Sequence, residues 1–195
     1  MDAPRSADLI FVLAGRVNRK EYALELLRRG LAPRILFSIS RFEIRRFSQM
    51  TLPVPLDLLQ LAQEVPPRHR HYFVFFEAQK VRVEHVPPGR FGTFMEIKAL
   101  ARWLNESPHI RSVLVVSSDT HLRRIRMCCR SLLKATTSVA LLAAPLWLSE
   151  SPAATTPMQQ RDPLLPGKSS VSTSPKDDLL ELFKLAIYWV LLKFG

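Results

Sequence analysis

The sequence predicts an α/β domain built on a mainly parallel sheet, and three observations carry that reading. Residues 8–13 (DLIFVL) are a continuous apolar run that ends at Ala14-Gly15-Arg16, the signature of a strand buried on both faces. Residues 19–29 place Tyr22, Ala23, Leu26 and Leu27 at helical spacing, with Gly30 and Pro33 as a stop. Residues 34–39 (RILFSI) supply a second strand, so the chain opens with a β-α-β unit, whose crossover is right-handed in nearly all proteins.

The remaining elements follow in order. Residues 40–50 and 55–63 carry broken helical patterns, the second with Leu56, Leu58, Leu59 and Leu61 set for a buried stripe. Residues 71–76 and 81–86 are two short strand-like runs, close enough to form an antiparallel hairpin inserted in the sheet. Residues 93–104 space Phe94, Ile97, Leu100, Ala101 and Leu104 as a helix, with Thr93 as N-cap and Glu96 completing a capping box. Residues 112–116 (SVLVV) form the most strand-like run. A basic amphipathic helix over 120–133 and a last strand over 138–143 (SVALLA) complete a domain of residues 1–148.

Composition then shifts. Residues 149–178 are rich in Pro, Ser and Thr and read as a flexible linker. Residues 179–195 follow as a hydrophobic helix with only Glu181, Lys184, Tyr188 and Lys193 as a polar stripe. A helix this apolar needs cover, and the expectation is that it packs back on the domain. An interfacial contact is the alternative, because Glu181 and Lys184 leave only eight uncharged residues before Lys193, far short of the about 20 a spanning helix needs.

The chain has 195 residues, 47% apolar, and a formal charge of +11. Those values fit one domain with a real core and exclude intrinsic disorder, while two cysteines exclude a disulfide scaffold. Cys128 and Cys129 are adjacent on a helix and point apart, so they read as reduced thiols of a reducing compartment. With no apolar leader or N-terminal anchor visible, the expected location is cytoplasmic, with any inner-membrane contact peripheral and through 179–195. Six glycines against fifteen prolines argue against glycine-rich nucleotide loops.

The strongest candidate constellation runs from Val115 to Arg124 (VVSSDTHLRR), a buried strand passing through Ser117 and Ser118 into a helix. In open parallel sheets, ligands bind at the carboxyl ends of the strands, where helix N-termini present N–H groups to anions. Asp119 or Thr120 would cap the helix. His121 in its first turn and Arg124 one turn along could converge on a phosphate or carboxylate. Gly15 and Arg16 after the first strand, and Ser38 and Ser40 at the second, lie at equivalent strand ends. The plain alternative is a cap, a tight turn and a solvated arginine face. His121 is the one candidate acid or base, since imidazole titrates near neutrality.

Other chemistries find little support. His69 and His71 alternate in a basic stretch, and His85 and His109 are isolated, so no metal site is expected, and no cofactor. There is no G-x-S-x-G elbow, Walker loop or G-x-G-x-x-G, and Gly89-x-x-Gly92 beside two prolines reads as a turn. Residues 16–46 hold nine basic against three acidic residues, and 111–134 six against one. That raises nucleic-acid binding through Arg45, Arg46, Arg123, Arg126 and Arg130 as a weaker alternative. Neither stretch interleaves aromatics or shows helix-turn-helix spacing, so an anionic small molecule is the preferred partner.

The succession resembles the domain-of-unknown-function family that contains YdcF, SanA and ElyC. The likeness rests on an apolar strand and turn followed by RKEYALELLRRGLAPRILFS, on TFMEIKALARWL (93–104) and on SVLVVSSDTHLRRIRM (112–127). The last is the most specific, with His121, Leu122 and Arg124 matching the family's helix start, and Thr93 and Glu96 matching its Thr and acidic pair. The resemblance implies a Rossmann-like three-layer α/β/α domain, a phosphorylated or nucleotide-like ligand and a link to cell-envelope biogenesis. Two turns depart from the family pattern: its paired glycines appear as Ala14-Gly15, and its Ser-Gly-Gly turn as Ser38-Ile39-Ser40. The chain is then either a divergent member with its own ligand or a non-enzymatic scaffold on the same fold.

Overall fold

The computed structural model describes residues 6–87 and 92–145, all within the unit Met1–Ser149. The linker and C-terminal helix expected over 149–178 and 179–195 lie outside the described residues, as does most of the Gly89-x-x-Gly92 turn. The domain is mixed α/β with a six-stranded, mostly parallel sheet. Its strands are β1 (Leu9–Val12), β2 (Arg34–Ser40), β3 (His71–Glu77), β4 (Lys80–His85), β5 (Ser112–Ser117) and β6 (Ser138–Ala143), in the spatial order β4-β3-β2-β1-β5-β6. Strands β1, β2, β5 and β6 run parallel, while β3 and β4 form an antiparallel hairpin on the β2 side.

Among the described residues five α-helices accompany the sheet: α1 (Val17–Arg28), α2 (Ile44–Phe47), α3 (Leu58–Gln63), α4 (Gly92–Glu106) and α5 (Asp119–Leu132). Alternation along the strands sorts their side chains between two faces. Ile10, Val12, Ile35, Phe37, Val74, Leu114 and Val116 join Leu24 and Leu26 of α1, Phe47 of α2 and Leu58 of α3 in one buried cluster. Phe37 packs edge-on against Phe47 and Phe76, a geometry that adds about 0.5–1.5 kcal/mol per pair beyond area burial. Residues of opposite parity belong to the other face, where Phe11 meets Phe73 and Phe75 meets Trp103 of α4.

Two boundaries differ from the sequence pattern, for physical reasons. Helix α1 begins two residues before the apolar periodicity does, because its first turn buries Asn18, Arg19 and Lys20 instead of apolar side chains. Its far end is as expected: Gly30 at φ 74° donates to Leu27 O, and Leu31 donates to Leu26 O, which is a Schellman closure. Helix α4 begins at Gly92, so Thr93 is already helical, and the expected capping box does not form. The Glu96 carboxylate turns away from its own helix and accepts the Ala14 N–H at 2.7 Å.

Candidate functional site

Strand order reverses at β1. The chain passes from β1 through α1 to β2 on one side and from β5 through α5 to β6 on the other, so the carboxyl ends of β1 and β5 flank the switch point, the place at which such sheets generally bind ligands. The β1 end leads into Ala14-Gly15-Arg16 and the β5 end into Ser118. Between them lies Arg19, with 4% of its surface exposed.

Arg19 ties the two strand ends together. Its Nη1 donates to Ala14 O at 2.6 Å, and its Nε and Nη2 both donate to Ser118 Oγ, at 3.0 and 2.6 Å. Nη2 also lies 3.3 Å from His121 Nδ1. A guanidinium only donates, so Nδ1 accepts and the imidazole proton sits on Nε2. No described carboxylate comes within ion-pair distance of Arg19. Burial is the main influence lowering its pKa. The charges of Glu96 and Glu43 oppose that, and those of Arg16 and Arg124 lower it further by a smaller amount.

Beneath this layer sits a carboxylate layer. Glu43, buried after β2, accepts from Gly15 N at 2.7 Å, from Ser40 N at 3.0 Å, from Ser40 Oγ at 2.6 Å and from Lys20 Nζ. Lys20 is fully buried and its pKa is lowered by that burial, with Glu43 acting in the opposite direction. Glu96 is pushed up to about 7 by burial, against the stabilising hydrogen bonds of Ser38 and the Ala14 N–H. Ser38 Oγ is also 2.7 Å from His71 Nε2, and burial holds His71 down to about 4. The chain Glu96, Ser38, His71 therefore joins α4, β2 and β3.

Most of the residues singled out in the sequence meet here. Gly15, Ser38, Ser40, Glu96, Ser118 and His121 belong to one hydrogen-bonded assembly, and Arg16 and Arg124 act on it through their charge. Ser117 is fully buried with its hydroxyl unpartnered. Asp119 does not cap α5: Ser118 occupies the N-cap, and Asp119 is the exposed first helical residue. Thr120 follows it inside the helix. Thr93 is buried in the first turn of α4, and no hydrogen bond among the described residues links it to the assembly.

Sequence reasoning missed Arg19, Lys20, Glu43 and His71. Arg19 and Lys20 fall outside the apolar spacing of Tyr22, Ala23, Leu26 and Leu27. The available signal was their position in the first turn after the first strand. Among the described residues, no group of three His, Cys, Asp or Glu is placed to hold a metal ion. Cys128 and Cys129 are free, buried and pushed up to about 12 by that burial, which makes them poor nucleophiles. No described helix is long and apolar enough to cross a membrane.

No family model, curated protein or solved structure matches this chain.

Proposed function

We propose that the crevice between the carboxyl ends of β1 and β5 binds a small anion bearing a phosphate group. The observation that carries this reading is Arg19: a buried guanidinium that meets no described carboxylate at ion-pair distance and is held between the two strand ends by Ala14 O and Ser118 Oγ. Buried charges are ordinarily paired, and an anion reaching Arg19 would supply the counter-charge. Arg16 is exposed, Ser118 and His121 lie beside Arg19, and the charge of Arg124 reaches it as well. Glu96 and His121 are the groups suited to hold a transferable proton there.

The reading extends to the fold and the family. Helices α1–α3 on one sheet face and α4 on the other support a three-layer, Rossmann-like domain. The resemblance to the YdcF, SanA and ElyC family supports a cytoplasmic, divergent member with a phosphorylated or nucleotide-like ligand tied to envelope biogenesis. Thermal-shift and calorimetric titration with inorganic phosphate, nucleotides, sugar nucleotides and prenyl phosphates tests it. At least one should stabilise the protein by several degrees, since a ligand at 100 times its Kd adds about 2.7 kcal/mol. Arg16→Ala should weaken that ligand at least fivefold without changing the melting temperature of the free protein, and His121→Ala with Arg124→Ala should abolish binding. A panel without a hit, or a hit indifferent to these changes, overturns the reading.

One observation favours a non-enzymatic scaffold instead. The N–H groups of Ala14 and Gly15, which a phosphate would seek after the first strand, are taken by Glu96 and Glu43. In that reading the assembly is a polar core that fixes the strand ends, and the ligand panel gives no hit.

A further inference from the structure

At the opposite end of the sheet, α5 and β6 enclose a groove of about 520 Å3. It lies where β6 begins, beside the loop that follows α5, and so belongs to the amino ends of the strands. Leu133, Val139 and Leu141 give it an apolar wall, and Arg126, Arg130 and Lys134 line it with positive charge. No described acidic residue lines it, and no described carboxylate pairs with any of the three cations. Arg126 and Arg130 stand one helical turn apart, so both charges face one side of α5. Cations near a helix C-terminus ordinarily complement the dipole, which accounts for Arg130 and Lys134. It does not account for Arg126 at mid-helix, nor for apolar side chains left beside a triple charge.

We propose that this groove is a second binding site, for a soluble amphiphilic anion: one acidic head, carboxylate or phosphate, on an apolar chain or ring. The volume lies in the range of small-molecule sites, and the lining joins three cations to a smaller apolar part. The acid head would meet the fork of Arg126 and Arg130, with Lys134 adding charge, while the apolar body covers Leu133 and Val139. The proposal is independent of the anion crevice at the other end of the sheet.

Calorimetric titration of the full chain with dodecyl phosphate and with laurate, each below its micellar concentration, tests it. One site per chain is expected for at least one of the two, and comparing them tells which acid is preferred. Arg126→Glu with Arg130→Glu, both exposed positions, should lower the affinity at least tenfold while the circular dichroism spectrum of the folded protein holds. Val139→Phe, which fills the groove and leaves the charges, should lower it at least fivefold. Equal binding of dodecyl maltoside, indifference to the double charge reversal, no binding of either anion, or binding only to vesicles containing phosphatidylglycerol would overturn the proposal.

Discussion

Gly15 and Arg19 occupy interlocking space: a Cβ on Gly15 would lie 2.6 Å from Arg19 Nη1 and 2.9 Å from its Cζ. Gly15 also holds φ at 136°, a conformation nearly closed to other residues. The turn after β1 thus needs glycine twice over, once for its backbone and once because the guanidinium closes against it.

Gly15→Ala should therefore act on both stability and the crevice. A cost of about 1–3 kcal/mol is expected from the backbone alone, with displacement of Arg19 from Ser118 weakening phosphate binding in parallel. Gly30→Ala is the control. Its φ of 74° also disfavours alanine, but a Cβ there meets nothing within 4 Å, so about 1 kcal/mol should be lost with binding intact. Urea unfolding with ligand titration separates the two, and equal effects of both changes on binding would refute the contact.

The Lys20–Glu43 pair predicts non-additive energetics. Both side chains are buried, and Glu43 also holds Gly15 N, Ser40 N and Ser40 Oγ. Lys20→Met leaves a buried carboxylate without its counter-charge and should cost about 3–5 kcal/mol. Lys20→Met with Glu43→Gln should recover at least about 1 kcal/mol of that, because the amide removes the uncompensated charge and keeps an acceptor for one of the two backbone donors. A double variant as unstable as the sum of the singles would show that the pair is not coupled.

The parallel strands were legible as unbroken apolar runs: β1 (Leu9–Val12), buried on both faces, lies inside the run 8–13, and β6 spans the same residues as its apolar run. The hairpin was legible from the short gap between its two runs. The crevice was only half legible. Glu96 sits at the capping-box distance from Thr93, so local spacing pointed to its own helix, whereas its partner Ala14 is 82 residues away. Arg19 reaches Ser118 across 99 residues. Charged residues in a helical stretch read as solvated when only neighbours are considered, and their burial is decided by strands that come much later in the chain.

The β3–β4 turn offers a stabilising change. Glu77 pairs with Lys80 around Ala78 and Gln79, and Ala78 adopts φ 49°, the one positive φ outside glycine among the described residues. A left-handed alanine costs roughly 1–2 kcal/mol, partly offset by the greater freedom of glycine in the unfolded chain. Ala78→Gly should raise stability by about 0.5–1 kcal/mol, seen as a higher urea midpoint at unchanged m-value. A lower midpoint would mean that the turn is not strained at Ala78.

Glu96 and His71, linked through Ser38, should impose opposite pH dependences that conceal each other. His71 has its pKa lowered from 6.5 to about 4, so between those values the unfolded chain binds the proton and the folded protein does not; this contribution makes stability fall as pH falls through the window. Glu96 has its pKa raised from 4.5 to about 7, so between those values the folded protein holds the extra proton; this contribution makes stability fall as pH rises. From about pH 4.5 to 6.5 the two slopes oppose, and their combined effect on the wild-type protein should be small. Glu96→Gln removes one of them and should leave stability that increases with pH up to 6.5. His71→Gln removes the other and should leave stability that decreases with pH up to 7. Neither slope can exceed about 1.4 kcal/mol per pH unit, the value for one proton, and partial exposure of His71 keeps its share below that. Urea midpoints of the three proteins at several pH values between 4.5 and 7 check this. Three parallel curves would mean that the Glu96 and His71 protons are not displaced from their ordinary pKa ranges by this core.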